Sequence, residues 1–218
     1  MSIQAMQTNT VKKQRVPNSE RRKASIKAVL DSALGLFVTQ GYDTTSMDDI
    51  ASRAGLTKGA VYFYFKDKVT LLHALLERTE SQLFDPIFDE LRRSKGTAAD
   101  RIIRLTNWFA RIGAESPELP LLHVLVSLQM LNRENIAADK VRSVYGRMHD
   151  EITAIIMQGQ ESGELSADLP ASEQAAVFAA LIDGLLLEWH RWGDKVDGRA
   201  LARSARNMIL NGLVVNPA

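Results

Sequence analysis

Apolar residues recur at helical spacing along nearly the whole chain, and no stretch alternates as a strand would. From Ser19 onward, Ile26, Val29, Leu30, Ala33 and Phe37 follow the i, i+3, i+4, i+7 rule and predict one buried stripe on a first helix. Gly41 stands where a left-handed stop belongs. After Tyr42-Asp43-Thr44-Thr45, Ser46 is placed to cap a second helix by accepting the N–H of Asp49, with Asp48 and Asp49 at the positive helix end. Asp at that third position is a weaker reciprocal partner than Glu or Gln. Ile50, Ala51 and Ala54 form the small buried face of this helix, and Gly55-Leu56 makes a turn. Thr57 then caps a short third helix to about Phe63, with Val61 and Phe65 pointing inward.

Beyond Asp67 the pattern predicts longer helices at 67–93, 98–114, 118–132, 136–162, 171–191 and 198–214, so the fold class is all-α. Lys95-Gly96-Thr97, Glu115-Ser116-Pro117, Ser162-Gly163-Glu164 and Gly193-Asp194 punctuate them, and Pro86 breaks or kinks the first. Leu121, Leu122, Val124, Leu125, Val126, Leu128, Met130 and Leu131 cover most of one helix circumference, which predicts burial on nearly all sides. Trp108, Phe109, Tyr145 and Met148, with His123 among those leucines, are either ordinary core or the lining of an apolar pocket. In the second case His123 and Tyr145 are its polar anchors. The last two helices carry wide apolar stripes that include Leu181, Leu185 and Trp189 on one, and Ala205, Met208, Ile209 and Gly212 on the other. A four-helix bundle across a two-fold axis would bury both, which predicts a homodimer.

Charge adds a polarity to this layout. The net charge of the 218 residues is +1, yet residues 1–70 carry +5 and the remainder −4. Residues 1–18 are polar and basic without apolar periodicity, and they read as a flexible arm able to reach along a polyanion. Among the groups facing outward around the third helix are Lys58, Gly59, Tyr62 and Tyr64. Small residues at the start of a helix admit close approach to DNA, and tyrosine hydroxyls bond phosphate.

Composition removes alternatives. There is no cysteine, hence no disulfide scaffold, thiolate metal site or cysteine nucleophile. No secretory signal or span of about 20 apolar residues is visible, so a cytoplasmic protein away from membranes is expected. An enzyme would need chemistry that is missing from the sequence. There is no G-x-G-x-x-G, Walker loop or H-E-x-x-H, and His73, His123, His149 and His190 are scattered, so neither catalysis, a metal nor a cofactor is expected. A non-specific architectural DNA binder would need a more basic surface.

The run Gly41-Tyr42-x-Thr44-Thr45-Ser46-Met47-x-x-Ile50-Ala51-x-x-Ala54-Gly55-Leu56-Thr57-Lys58-Gly59-Ala60-Val61-Tyr62-x-Tyr64-Phe65-x-x-Lys68-x-x-Leu71-Leu72 resembles the N-terminal signature of the TetR family of repressors. The likeness covers roughly residues 20–75. It implies a three-helix helix-turn-helix DNA-binding domain at 19–66, following the arm at 1–18, then a helical ligand-binding and dimerisation domain at 67–218. It also implies a homodimer on double-stranded operator DNA and a small-molecule effector. Carried over by position, Thr57, Lys58, Gly59, Tyr62 and Tyr64 would meet the major groove and its phosphates. Lys68 would clamp a phosphate, and Ser46 or Met47 would lie against the DNA backbone. Phe63 departs from a slot where relatives carry Tyr or Trp, so a polar contact is lost there.

Overall fold

A computed structural model describes residues 18–213. The expected arm at 1–18 therefore lies almost wholly outside the described residues. Ten α-helices follow one another: α1 (Asn18–Thr39), α2 (Met47–Arg53), α3 (Lys58–Tyr64), α4 (Lys68–Leu83), α5 (Asp85–Arg93), α6 (Ala98–Glu115), α7 (Glu118–Met130), α8 (Ile136–Glu161), α9 (Ala171–Trp192) and α10 (Gly198–Leu213). No β-sheet occurs among the described residues. None of the described helices is long and apolar enough to cross a membrane.

Local signals explain most of the boundaries. Gly41 adopts φ 92° after α1, where a side chain would be strained. Thr57, Asp67, Thr97 and Asn135 each accept a backbone N–H from the first turn of the helix they precede. Pro86 enters the first turn of α5, splitting the expected 67–93 helix into α4 and α5 at Phe84.

Two cores result. The first joins α1, α2 and α3 to α4, and it also takes Leu122, Val126 and Met130 of α7 and Ala137, Ala138 and Val141 of α8. The second lies among α5, α6, α8, α9 and α10, around Phe88, Ile102, Ile152 and Phe178. The expectation that α7 is buried on nearly all sides is corrected. Leu128 is exposed, as is Leu131 just past the helix end, because α1, α4, α6, α8 and α9 pack on this helix without covering its C-terminal end on that side.

Candidate functional site

The inner side of α3 is pinned by Val61, which has no solvent exposure, and by Phe65 just beyond its end. The Thr57 hydroxyl accepts the Ala60 N–H at 3.2 Å and holds the first turn. Lys58, Gly59, Tyr62 and Phe63 are left outside, with Tyr62 44% and Phe63 79% exposed. These two adjacent exposed aromatics on one short helix lie outside both hydrophobic cores. Tyr64 is placed differently from the expectation. It is half-buried against the first core and lies edge-on to Phe63 at 5.3 Å, because three helical steps return it to within about 60° of Val61. Lys58 donates to Asp48 at 2.9 Å, and this contact raises its pKa.

A Cβ built on Gly59 would meet nothing within 4 Å, so the fold does not require glycine there. Glycine inside a helix costs about 0.5–1 kcal/mol relative to alanine. Gly59→Ala should therefore raise thermal stability while weakening DNA binding roughly tenfold, the equivalent of about 1.4 kcal/mol. A melting curve and a gel-shift at fixed salt test both halves, and an unchanged affinity would remove the close-approach role.

The start of α2 is more tightly tied than its sequence suggests. Ser46 Oγ accepts from Asp49 N at 3.1 Å and donates to Asp49 Oδ2 at 2.6 Å, while the Ser46 N–H donates to the same oxygen at 2.9 Å. These bonds hold the Asp49 carboxyl below its ordinary pKa, and Asp completes the reciprocal cap after all. Ser46 remains at the surface, but the Met47 side chain is buried in the first core, so only its main chain is available to a DNA backbone.

Lys68 has partners within the chain that the sequence reading did not name. Its ammonium donates to the carbonyls of Tyr42 at 2.7 Å, Asp43 at 3.2 Å and Thr45 at 2.8 Å, and sits 4.4 Å from the Tyr42 ring. An ammonium has three N–H donors, and all three are committed inside the protein. Burial lowers the Lys68 pKa. Lys68 staples the turn before α2, a role that the sequence reading did not anticipate. The same turn is gripped from the other side. Gln129 Oε1 accepts the Tyr42 N–H at 3.2 Å, and Arg133 makes a forked pair with Asp43 at 2.6 and 2.8 Å. Neither residue was singled out in the sequence as a partner of this turn, and no periodicity marks contacts so distant along the chain.

Four of the five pocket candidates meet. Phe109, His123, Tyr145 and Met148 line one cavity of about 20 Å³ among α4, α6, α7, α8 and α9. Trp108 does not join them. Its indole donates to the Leu83 carbonyl at 2.8 Å and lies on the outer side of α6 under Arg111. His123 is 2% exposed, its Nε2 lies 2.8 Å from Thr79 Oγ1, and burial pushes its pKa down to about 4. Asp183, not anticipated as a site residue, faces the same space beside the Tyr145 hydroxyl, and burial pushes its pKa up to about 6. A lone acid within the apolar run from Val177 to Leu187 was the available signal. A second apolar chamber of about 60 Å³ lies next to it, sharing Phe109, Pro120, Ile182 and Leu186 as walls and bounded outside by Trp189 and Leu201.

The expected pairing face divides. Ala205 and Ile209 are buried within the chain. Leu185 and Trp189 wall the apolar chamber, and Cβ atoms built on Gly113 and Gly198 would lie 3.1 and 2.8 Å from the Trp189 ring. Two successive turns of a helix cannot present every apolar residue to one side, and α6 claims this part of α9. Met208 is 69% exposed, and Gly212 is exposed beside Val177 and half-buried Leu181 along an open groove between α9 and α10.

Comparison with known proteins agrees with this architecture. Residues 29–75 match the family of bacterial regulatory proteins of the tetR type, and residues 125–213 match the C-terminal part of BetI-type transcriptional repressors. The chain is 28% identical over 167 residues to the HTH-type transcriptional regulator SrpR of Pseudomonas putida, covering 77% of this chain and 76% of that one. The crystal structure of the MbdR regulator from Azoarcus sp. CIB superposes with a TM-score of 0.79 at 36% identity, covering 88% of this chain and all (100%) of the other. The fold alone is shared with the regulator FadR from Bacillus subtilis in complex with stearoyl-CoA, at 21% identity, a TM-score of 0.72, and coverage of 85% and 98%. The chain belongs to the TetR family of bacterial regulatory proteins and is a DNA-binding transcriptional repressor.

Proposed function

We propose that residues 18–66 read a palindromic operator as one of two heads in a homodimer, that residues 67–213 supply the effector chamber and the pairing face, and that an effector releases the DNA. The observation that carries the reading is the outer side of α3, where Lys58, Gly59, Tyr62 and Phe63 are exposed and lie outside both cores. Tyr62 meets phosphate or a base edge, Phe63 offers methyl contact, and Lys58 exchanges Asp48 for a phosphate. Ser46 and Thr57 sit at the flanking helix starts, and Tyr64 contributes at its exposed edge. Lys68 acts by fixing the turn that aims α2. No catalytic role is assigned to any residue.

Pairing runs along Val177, Leu181, Met208 and Gly212. No Cβ built on Gly184 or Gly212 would meet an atom within 4 Å, which leaves space for a second helix to approach. Two heads must lie about 34 Å apart, or a multiple of it, to enter successive major grooves. The cavity and the heads are mechanically connected. α7 carries His123 at its middle and Gln129 near its C-terminal end, and Arg133 follows on the loop beyond. A shift of α7 moves the turn held by Gln129 and Arg133. An effector that favours another spacing of the heads depopulates the DNA-bound state, and the effect cannot exceed its differential affinity. The two chambers are far below the roughly 300 Å³ of an occupied small-molecule site, so an effector must push their walls apart.

Met208→Glu tests the dimeric reading. Buried at a two-fold axis, the two carboxylates repel and lose solvation, so light scattering at micromolar concentration should report a monomer. The footprint on DNA selected from a random pool should shrink from two half-sites to none. A dimer of unchanged affinity would place the pairing face elsewhere.

A further inference from the structure

We propose that the inner cavity is a head-group site for a proton-bearing organic cation, a primary or secondary ammonium carried on an apolar body. This inference rests on the reading of the chambers as an effector site. The argument begins with what the cavity lacks. Thr79 Oγ1 lies 3.2 Å from the Leu76 carbonyl, to which it donates, and 2.8 Å from His123 Nε2. In the tautomer that this arrangement favours, with the proton on Nε2, Nδ1 is an acceptor. This Nδ1 is buried and has no hydrogen-bond partner. The second polar group on the wall, Asp183, is also an acceptor, and among the described residues no lysine or arginine forms an ion pair with it. The nearby cations are already engaged: Lys140 with Glu80, and Arg147 with Glu80 and Asp85. The Tyr145 hydroxyl has one proton, and the Asp183 carboxyl beside it can take that proton.

The unpartnered, buried His123 Nδ1 and the half-buried Asp183 carboxyl, which meets the Tyr145 hydroxyl but no cation among the described residues, therefore belong to residues that line one cavity. Unpaired buried acceptors are costly, and a buried carboxylate more so. A ligand that brings N–H donors and a positive charge satisfies both. A carboxylate ligand sets acceptor against acceptor. The cavity of about 20 Å³ accommodates a group the size of water, which is also the size of an ammonium head. Phe84 and Phe109 line the same space, and aromatic rings beside a bound cation favour it. The adjoining apolar chamber, bounded by Leu185, Trp189 and Leu201, takes the body of the molecule once the shared wall opens.

The test uses the full chain with four probes of one length below their micelle concentrations: octylamine, octyltrimethylammonium, octanol and octanoate. Binding is measured by titration calorimetry, and release of DNA is measured separately. Octylamine should bind at least tenfold more tightly than octanoate and octyltrimethylammonium. Asp183→Asn should weaken octylamine at least tenfold without lowering the melting temperature and without weakening octanol. Octanoate equal to or better than octylamine, undiminished amine binding by Asp183→Asn, or no binding by any probe overturns the proposal. The selectivity of the unaltered protein decides the matter even where the variant folds poorly. Amine binding that leaves DNA in place counts against the effector reading and not against the head-group site.

Discussion

Tyr62→Ala is expected to abolish operator binding in a gel-shift at physiological salt while the protein remains folded and dimeric. The side chain is 44% exposed on α3, outside both cores, and the residues that anchor the helix are Val61 and Phe65. Substitutions at such positions change stability by about 0.5 kcal/mol or less, and alanine is the better helix former. A tyrosine hydroxyl bound to phosphate contributes about 1.5–3 kcal/mol. A symmetric dimer loses two such bonds, so affinity should fall on the order of 100-fold or more. Tyr62→Phe separates hydroxyl from ring and should retain part of the binding. Undiminished affinity of the alanine variant would remove α3 from the interface.

Asp183→Asn is expected to raise stability at pH 7 by about 2 kcal/mol, a gain that vanishes near pH 4. In the unfolded chain this carboxyl titrates near 3.8, whereas in the folded protein burial holds it at about 6. Below 3.8 both states are protonated and burial of the group costs little. Between 3.8 and 6 the unfolded chain ionises first, so stability falls as pH rises. Above 6 the folded protein carries the whole cost, which we discount for the part of the group that solvent still reaches. His123 works in the opposite sense. Its folded pKa of about 4 lies below the 6.5 of the free imidazole, so it contributes stability that is full above 6.5 and is lost as pH falls toward 4. Over much of the same window the two slopes offset each other. The variant should therefore show a stability that climbs with pH from 4 to 6.5, where the unaltered protein is flatter. Denaturant unfolding at equal protein concentration across that range measures the difference, and a gap independent of pH would show that Asp183 ionises normally.

These two residues differ in how they could be found. Tyr62 was legible because its neighbours on α3 follow a short-range rule: Val61 takes the inward position, and the next residue turns away by about 100°. Asp183 was visible only as an interruption in an apolar run. Nothing in that run states that Tyr145 and His123, each about 40 or more residues distant, face the same space. The cavity candidates were chosen by residue type, which succeeded for Phe109, His123, Tyr145 and Met148 and failed for Trp108, whose indole finds a carbonyl on the opposite side of α6. The internal partners of Lys68 were hidden for a related reason. A lysine at a helix start reads as a surface charge, and only the folded turn brings three carbonyls around it.

By itself the sequence determined the all-helical class, the positions of the helices to within a few residues, the caps at Ser46 and Thr57 and the short third helix with Val61 inward. Each of these is set within a turn or two of chain, by the periodicity of apolar residues and by side chains that reach their own backbone. Tertiary structure alone decided which apolar residues face inward on α9 and α10, where Ala205 and Ile209 are buried and Trp189 walls the apolar chamber while Met208 and Gly212 stay exposed. It also decided the grip of Gln129 and Arg133 on the turn before α2 and the meeting of His123 with Asp183. Those pairings join distant segments, and they depend on how helices cross rather than on how each one forms.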